Sequence, residues 1–233
     1  MRCFFVFILL LGISGCGSDI CRKSYHVVYL PDAQMDVDGV LSEPEWESVQ
    51  VESDFSFPWE KEDAPGTEFR SFCDDEFFYF CFVVEDADVV VEGRFESEFV
   101  VNREDRVEIF FSRDVNLERY FCIEVDPLGR VHSYAARSYR HFDSTWEMGG
   151  LRTAGLITAD GYTVEGSVAL SSLEGLGLLT PCCEDVVMVG LFRAEFNEGR
   201  LLPEERWISW VEPKTRRADF HVPSGFGCFV FYR

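Results

Sequence analysis

The chain has 233 residues, of which 47% are hydrophobic and 15% aromatic, including 23 phenylalanines. This length is enough for one sizeable domain with its own core, and neither a Pro/Gly/Ser-rich linker nor an internal repeat divides it. The 42 aspartates and glutamates outweigh 21 lysines and arginines to give a formal net charge of −21, and so acidic a surface repels phosphate backbones and excludes nucleic acid as a partner.

The amino terminus has the order of a secretory signal. Met1-Arg2 gives a positive start, Phe4 to Leu11 is an unbroken apolar run, and Ile13-Ser14-Gly15-Cys16 places small residues directly before a cysteine. The apolar run is too short for a spanning helix. The last four residues resemble the lipobox of bacterial lipoproteins, which implies that Cys16 is lipidated. The alternative is a plain signal peptide followed by an incidental cysteine.

We therefore predict a signal peptide over residues 1–15, a lipidated cysteine with a tether over 16–30, and one domain over 31–233. The lipid on Cys16 would anchor the protein stably to a membrane. Gly17-Ser18 supplies no aspartate directly after the cysteine. This favours the outer membrane, on its periplasmic or its cell-surface face.

Seven cysteines remain in the mature chain, at positions 21, 73, 81, 122, 182, 183 and 228. An odd number cannot pair completely within one chain. Cys81, Cys122 and Cys228 lie in apolar runs, where cysteine behaves as a small hydrophobe. No Cys-x-x-Cys pair with a matching histidine pair is present, so we assign no zinc site. We expect mostly buried thiols, with room for one disulfide.

The body of the chain is predicted to consist of strands. Phe77 to Val84 is apolar at both odd and even positions, as in a strand buried on both faces. Residues 106–111, 120–125, 162–168 and 186–196 alternate between apolar and polar, and Gly227 to Tyr232 forms a last strand. Turn signals separate these runs, among them Asp38-Gly39 and Asp160-Gly161. The pattern predicts an all-β fold, an antiparallel sandwich of the immunoglobulin-like or jelly-roll type.

Helix content is expected to be low, with one or two short helices. Ser42-Glu43-Pro44-Glu45 has the form of a capping box with proline in the first turn, and Trp46 follows on an apolar face. We assign Trp46 to the core. A second helical turn is expected over residues 170–176.

Six segments in order resemble family 9 carbohydrate-binding modules. They begin with Asp38-Gly39-Val-Leu-Ser-Glu-Pro-Glu-Trp46 and the strand from Tyr79 to Asp86, and end with Phe220-His-Val-Pro223 and Phe226-Gly227. Between these lie Glu104-Asp-Arg-Val-Glu-Ile-Phe110, Gly161-Tyr-Thr-Val-Glu165 and Ile208-Ser-Trp210. The resemblance implies a β-sandwich that binds polysaccharide or oligosaccharide. It also allows a calcium ion, for which no residue is assigned.

The resemblance also implies two binding residues. Trp210 falls at the family's sugar-stacking tryptophan, and Glu108 at the glutamate that accepts sugar hydroxyls. The alternatives are a core aromatic and a solvated strand position. The family's other stacking tryptophan is replaced here by Asn102-Arg103, and Trp59 is our candidate to take its role. We expect Trp210 and Glu108 to face one concave patch.

Further polar residues project from strands that are otherwise apolar. Arg70, Glu124 and Arg193 could form a polar floor beneath the stacking residues, or each could be engaged in a salt bridge. Arg70 or Trp59 is expected at the edge of the patch. His221 is expected to fix the closing loop, while Trp146 and Trp207 receive no assignment.

The predicted function is non-catalytic carbohydrate binding by a membrane-anchored lipoprotein, in support of carbohydrate catabolism. One alternative is a glycoside hydrolase or its accessory module, which would need two carboxylates set across a cleft. Another is a haem-binding electron-transfer sandwich, which would need an axial pair of ligands in an apolar pocket. His132, His141 and Met148 are the only close group for that purpose.

Overall fold

The structure is a computed structural model that describes residues 21–181, 184–197 and 204–232. The predicted signal peptide and the lipidation site Cys16 lie outside these residues. Twelve strands run through the described part: β1 (Ser24–Tyr29), β2 (Thr67–Cys73), β3 (Phe77–Glu85), β4 (Arg106–Ser112), β5 (Tyr120–Val125), β6 (Val131–Arg137), β7 (His141–Asp143), β8 (Leu151–Ile157), β9 (Gly161–Ala169), β10 (Asp185–Asn197), β11 (Glu204–Ser209) and β12 (Gly227–Phe231).

The strands form two sheets that are joined through β1. The front sheet has the order β7-β6-β5-β4-β10-β12, with β11 pairing to the second half of β10, and the back sheet has the order β2-β3-β9-β8. The first part of β1 pairs with β12 and its last two residues pair with β2, both in parallel. All other strand pairs in the described residues are antiparallel. The predicted β-sandwich is confirmed, with β1 as its one parallel element.

The main core lies between the two sheets and is built largely from phenylalanine. Phe69 and Phe78 of the back sheet lie 5.5 and 6.1 Å, ring centroid to ring centroid, from Phe229 of the front sheet. All three side chains are fully buried. Each such ring contributes roughly 1.5–3 kcal/mol through the burial of its apolar surface. The high phenylalanine content of the chain is thus used in the interior of the sandwich.

Strand β3 is buried on both faces, as predicted from its unbroken apolar run. Phe78, Phe80 and Phe82 point into the main core. Tyr79 and Cys81, on the other parity, lie in a second apolar cluster that contains Trp46. This cluster forms because the segment between β1 and β2 covers the outer face of the back sheet.

The tether was predicted to reach residue 30, and this boundary is wrong. Residues 24–29 form β1, in which Tyr25 and Val27 are fully buried in the core and alternate with the exposed Ser24 and His26. Cys21 is joined to Cys228 by a disulfide that closes a sequence separation of 207 residues, with a Cα–Cα distance of 5.4 Å. Cys228 is therefore not the small hydrophobe that we predicted. A bridge of this kind typically stabilises a domain by about 2–5 kcal/mol.

The other cysteines follow the prediction in part. Cys81 and Cys122 are buried thiols within strands. Burial raises the pKa of both thiols, so they remain protonated and unreactive at neutral pH. Cys182 and Cys183 lie outside the described residues.

The helices are few and short. They are α1 (Glu45–Ser48), α2 (Leu170–Gly175) and two 3₁₀ helices, Glu98–Arg103 and Pro223–Gly225. The predicted capping box does not form, because Pro44 occupies the N-cap position and no side chain bonds there. Trp46 is buried as predicted, and its indole Nε1 donates to Glu165 Oε1 at 3.0 Å. No helix in the described residues is long and apolar enough to cross a membrane.

Candidate binding site

A pocket of about 360 Å³ opens on the outer face of the front sheet. Five side chains from β4, β5 and β6 form its floor, and we call them the floor cluster: Arg106, Glu108, Glu124, His132 and Tyr134. Aromatic side chains from the 3₁₀ helix 98–103, β7 and β11 stand around it. The loop after β11 closes one side. The site is thus one sheet face with its connections folded up around it.

Strand register places the floor cluster on a single face. Glu108 of β4 lies directly opposite Glu124 of β5, which lies opposite His132 of β6. Directly opposed residues of antiparallel strands share a face of the sheet. Arg106 belongs to the same face because it is two residues from Glu108 on β4. Ala194 of β10 lies opposite both Arg106 and Trp207, so Trp207 also lies on this face.

Arg106 is the centre of the polar floor. Its Nε donates to Glu108 Oε1 at 2.8 Å and lies 3.2 Å from Glu124 Oε2. Tyr134 donates its hydroxyl to Glu124 Oε1 at 2.9 Å, and His132 Nδ1 lies 3.5 Å from Glu124 Oε2. All five side chains are at most 6% exposed. Such buried charges are tolerated because each has a partner of opposite charge or a hydrogen bond.

The two glutamates of the floor differ in charge state. Burial raises the pKa of Glu108 to about 8, and the neighbouring Glu124 adds to the shift while Arg106 opposes it. Burial acts on Glu124 in the same sense, but Arg106 and His132 outweigh it and hold the pKa of Glu124 below its usual range. At neutral pH Glu108 is therefore mostly protonated and Glu124 ionised. A protonated carboxyl both donates and accepts hydrogen bonds, which suits a hydroxyl ligand.

Three aromatic side chains present surfaces at the pocket. Phe99 and Phe142 are about half exposed, and Trp207 is half-buried. The guanidinium of Arg106 lies 5.5 Å from the Trp207 ring centroid, and the Phe220 ring packs edge-on against Trp207 at 5.4 Å. These contacts hold the indole in one orientation. An apolar ligand surface can therefore meet a fixed aromatic plane.

His221 lines the pocket and ties its loop to the sheet, as predicted. Its Nδ1 lies 3.0 Å from the hydroxyl of Tyr120, and its ring stacks on Phe110 at 5.3 Å. Burial, and next the charge of Arg140, lower the pKa of His221 to about 4. It is therefore neutral at physiological pH and adds no charge to the pocket.

Trp210, the predicted stacking residue, does not face the pocket. It is 1% exposed, lies in the main core 6.2 Å from the Phe229 ring, and its six-membered ring closely approaches Gly227. The reason is strand alternation, because Trp207 and Ser209 point outward while Ile208 and Trp210 point inward. Glu108 and Trp210 thus lie on opposite faces of the front sheet, and the shared concave patch predicted for them is wrong.

The remaining predicted residues lie in different places. Glu124 belongs to the floor beside Glu108, whereas Trp59 stands behind the pocket wall, against Phe220 at 5.8 Å. The Trp59 indole donates to the carbonyl of Thr215 at 3.1 Å, which fixes the closing loop. Trp59 therefore supports the site without lining it.

Arg70 and Arg193 are not in the pocket. Arg70 lies on β2 of the back sheet and pairs with Glu68 at 2.7 Å. Arg193 is fully buried on the inner face of β10, where it bonds the carbonyl of Glu85 at 3.0 Å and pairs with Glu195. Both are engaged in salt bridges, the alternative that the sequence left open, so the polar floor predicted from them is wrong.

Sequence reasoning missed Trp207, Phe99 and His132, although a signal pointed to each of the first two. Trp207 lies on β11 three residues before Trp210, which directly follows the strand, and so has the opposite parity. Phe99 precedes Asn102-Arg103, the place where the family's second tryptophan was absent. The His132 ring lies 5.3 Å from Phe99, and its Nε2 is buried with no hydrogen-bond partner in the described residues. A buried polar atom that lines a pocket and has no hydrogen-bond partner is available to bond a ligand hydroxyl.

The two histidines and the methionine considered as haem ligands do not lie in one pocket. His132 belongs to the floor cluster, whereas Met148 is buried in the main core and bonds through its backbone to Ser133. Because Ser133 and His132 are adjacent on β6, they point to opposite faces. His141 is exposed on β7. These three side chains cannot form an axial pair in one apolar pocket.

A second group of carboxylates fits the calcium ion that the resemblance allows. Oxygens of Asp86, Asp88 and Glu195 lie within 4.8 Å of one another, and Asp86 Oδ2 is buried with no hydrogen bond. Arg193 lies beside Asp86 at 3.7 Å. Carboxylate oxygens are the ligands that calcium prefers. A calcium ion held here would neutralise buried acids and tie the end of β3 to β10, and none of its ligands lines the pocket.

Comparison with known proteins relates the chain to carbohydrate-binding domains. The model of one family, carbohydrate family 9 binding domain-like, matches residues 37–232. No curated protein matches the sequence. Solved structures with this fold include a candidate carbohydrate-binding protein from Bacteroides uniformis, with a TM-score of 0.69 and 15% identity over 90% of this chain and 99% of that one.

Two further structures are of a family 9 carbohydrate-binding module from Caldicellulosiruptor kristjanssonii. The complex with glucose has a TM-score of 0.60 and 17% identity, covering 90% of this chain and 96% of that one. The complex with cellotriose has the same TM-score and identity, covering 90% and 93%. At such low identity these structures establish a shared fold.

Proposed function

Because the chain belongs to the carbohydrate family 9 binding domain-like family, we propose that it binds carbohydrate in the pocket of the front sheet and catalyses no reaction. The observation that carries this proposal is the combination of a fixed indole plane with a buried, hydrogen-bonding floor. A sugar needs an apolar surface for its C–H face and fixed donors and acceptors for its hydroxyls. Trp207 supplies the first, and the floor cluster supplies the second.

The size of the pocket suits a short stretch of sugar. A volume of about 360 Å³ lies at the low end of small-molecule sites, which span about 300–1,000 Å³. Phe99 and Phe142, each about half exposed, add further aromatic surface to the lining. The related module from Caldicellulosiruptor holds glucose and cellotriose. These two sugars are accordingly the first ligands to test.

The geometry of the carboxylates argues against hydrolysis. A glycosidase places its two carboxylates on opposite sides of the scissile bond. Glu108 and Glu124 stand side by side on neighbouring strands, and both face Arg106. A sugar bond in this pocket would lie above the pair instead of between its members. The third carboxylate of the lining, Asp219, is held at the wall by Arg140 and Tyr139. We therefore assign both glutamates to hydroxyl recognition.

We also propose that the protein acts as a lipoprotein anchored through Cys16, at the outer membrane, in support of carbohydrate catabolism. The Cys21–Cys228 disulfide supports export, because structural disulfides form in oxidising compartments. Replacing Cys16 with alanine should release the protein from membrane fractions. Retention of the Cys16→Ala protein in those fractions would contradict the anchor and leave the binding site unaffected.

Titration calorimetry with glucose and cellotriose tests the binding proposal, using wild type, Trp207→Ala and the control Tyr232→Ala. Tyr232 is an exposed aromatic directly after β12 and does not line the pocket. We expect Trp207→Ala to weaken binding about tenfold, which corresponds to about 1.4 kcal/mol, while the control binds as wild type. If no sugar in a wider glycan panel binds, the proposal is wrong. Release of reducing sugar by the wild type would contradict the non-catalytic assignment.

A further inference from the structure

Basic side chains concentrate on one side of the pocket mouth. The chain as a whole has twice as many acidic as basic residues. Over residues 137–141 and 214–219 this balance is reversed, with Asp219 as the single acid. We call the five exposed cations of these two segments the basic rim: Arg137, Arg140, Lys214, Arg216 and Arg217.

The two segments of the basic rim are held together at the pocket. Arg140 Nη1 donates to Asp219 Oδ1 at 3.1 Å, and the hydroxyl of Tyr139 bonds the other oxygen of Asp219. Arg140 and Asp219 themselves line the pocket, as does Ala218, which follows Arg217 directly. The positive surface is therefore continuous with the mouth of the site.

The loop that carries the rim is fixed in position before any ligand arrives. The carbonyl of Thr215 accepts the Trp59 indole at 3.1 Å, and the backbone N–H of Lys214 donates to Ser224 Oγ at 2.9 Å. The Thr215 hydroxyl also donates to the carbonyl of Arg217 at 2.8 Å. A fixed loop presents its charges at a lower entropic cost of binding.

The charges of this loop are not neutralised by the protein. Lys214, Arg216 and Arg217 form no ion pair with any residue that the structure describes. By contrast, Arg206 pairs with both Glu60 and Glu62. In so acidic a chain, adjacent cations without partners leave a positive field at one place on the surface. An anion placed there would meet three unopposed charges.

We propose that the basic rim binds an anionic glycan, with a neutral sugar unit in the pocket and a carboxylate- or sulfate-bearing unit next to it on the rim. This proposal rests on the proposed carbohydrate-binding function. The acidic unit belongs on the rim because Glu124 in the floor and Asp219 at the wall would repel it inside. Arginine offers paired donors that match the oxygens of carboxylate and sulfate groups.

The experiment uses glycan pairs that differ in charge alone. The probes are glucuronoxylan and its carboxyl-reduced form, polygalacturonate and its methyl ester, and a sulfated galactan and its desulfated form. Affinity gels and calorimetry are run at about 20 mM and about 500 mM salt, since high salt screens exposed charges. We expect the charged member of at least one pair to bind about tenfold more tightly at low salt, as a few exposed ion pairs would give.

Variants assign the effect to the rim. Arg216→Gln/Arg217→Gln should remove most of the preference for the charged glycan over its neutral partner, and leave the neutral affinity unchanged. The control Arg94→Gln/Arg152→Gln removes the same charge from exposed positions outside the pocket, and it should keep the preference.

Three outcomes would overturn the proposal in distinguishable ways. Equal binding of both members of every pair would refute the anionic ligand while the carbohydrate-binding function stands. Binding of no glycan would refute both. Anionic lipid vesicles that bind wild type but not Arg216→Gln/Arg217→Gln, without a preference within any glycan pair, would assign the rim to a membrane surface instead.

Discussion

Two buried arginine–carboxylate clusters lie on opposite faces of the front sheet. On the outer face, Arg106 pairs with Glu108 and Glu124 at the floor of an open pocket. On the inner face, Arg193 pairs with Glu195 in the interior, and its side chain is fully buried. The chemistry is the same, but only the first cluster lines a pocket that a sugar can enter. A buried charged pair therefore marks a binding site only where a pocket opens onto it.

The two tryptophans of the β11 region show the same division. Trp207 points outward beside the floor cluster, and Trp210, three residues later, is buried in the core. Alternation along one strand thus separates recognition from stability. Substitutions on the inner face should therefore mainly lower stability, and substitutions on the outer face should mainly weaken sugar binding.

The largest expected effect is on the stability of the inner face. Trp210→Ala should lower the free energy of unfolding by about 3–5 kcal/mol, because it leaves a large cavity against Phe229. Trp207→Ala should lower it by about 1 kcal/mol or less, since that indole is only half-buried. Urea unfolding followed by circular dichroism measures both. Equal losses of unfolding free energy in the two variants would contradict the assignment of different roles to the two faces.

Next in size is the loss of each arginine. Arg193→Met should lower the free energy of unfolding by about 3 kcal/mol, because it leaves buried carboxylates without their cation. Sugar affinity of the folded fraction should stay within about twofold of wild type, less than 0.5 kcal/mol. Arg106→Met should instead abolish measurable sugar binding, since it removes the centre of the pocket floor.

Calorimetry at a temperature where both variants are folded separates these effects. Arg94→Met, at an exposed position outside the pocket, is the matched control for loss of charge and should match wild type in stability. If Arg193→Met loses sugar binding while still folded, the two clusters are coupled through the sheet and the comparison fails.

A smaller effect follows from the charge state of Glu108. Its pKa is raised to about 8, so the fold favours the neutral form. This contribution to stability is complete below the ordinary carboxyl pKa and is lost as pH rises toward and through 8. Wild type should therefore lose free energy of unfolding relative to Glu108→Gln as the pH rises from about 5 to about 8.5.

Urea unfolding at several pH values tests this, with Glu118→Gln as an exposed control that should follow wild type. A constant difference between wild type and Glu108→Gln at all pH values would mean that Glu108 is ionised throughout.

The sequence predicted the fold well and the site only in part, for a physical reason. Strand periodicity predicted the sandwich and the burial of β3 on both faces. It could not predict which parity of β11 points outward, because Trp207 and Trp210 are both large aromatics and both faces of the sheet are largely buried. Similarly, Arg193 and Arg106 are both charged residues within apolar strands. Their different roles depend on which face the opposite sheet covers.

The smallest expected effect concerns calcium at the inner face. Addition of calcium should raise the melting temperature by about 2–4 °C, equivalent to about 1 kcal/mol, because the ion would neutralise the carboxylates of Asp86, Asp88 and Glu195. Magnesium should do less, since it gives up its water ligands reluctantly. Asp88→Asn should remove the shift, and Asp75→Asn, in an exposed acidic turn, should keep it.

The same experiment tests the separation of the two faces. None of the three carboxylates lines the pocket, so sugar affinity measured with calcium and with chelator should be equal. A melting shift that survives in Asp88→Asn would place the ion elsewhere. A sugar affinity that falls in chelator and recovers with calcium would show that the inner carboxylate cluster controls the pocket. The physical route would be β10, because an ion bound between β3 and β10 could shift β10, which pairs with β4 beneath the floor cluster.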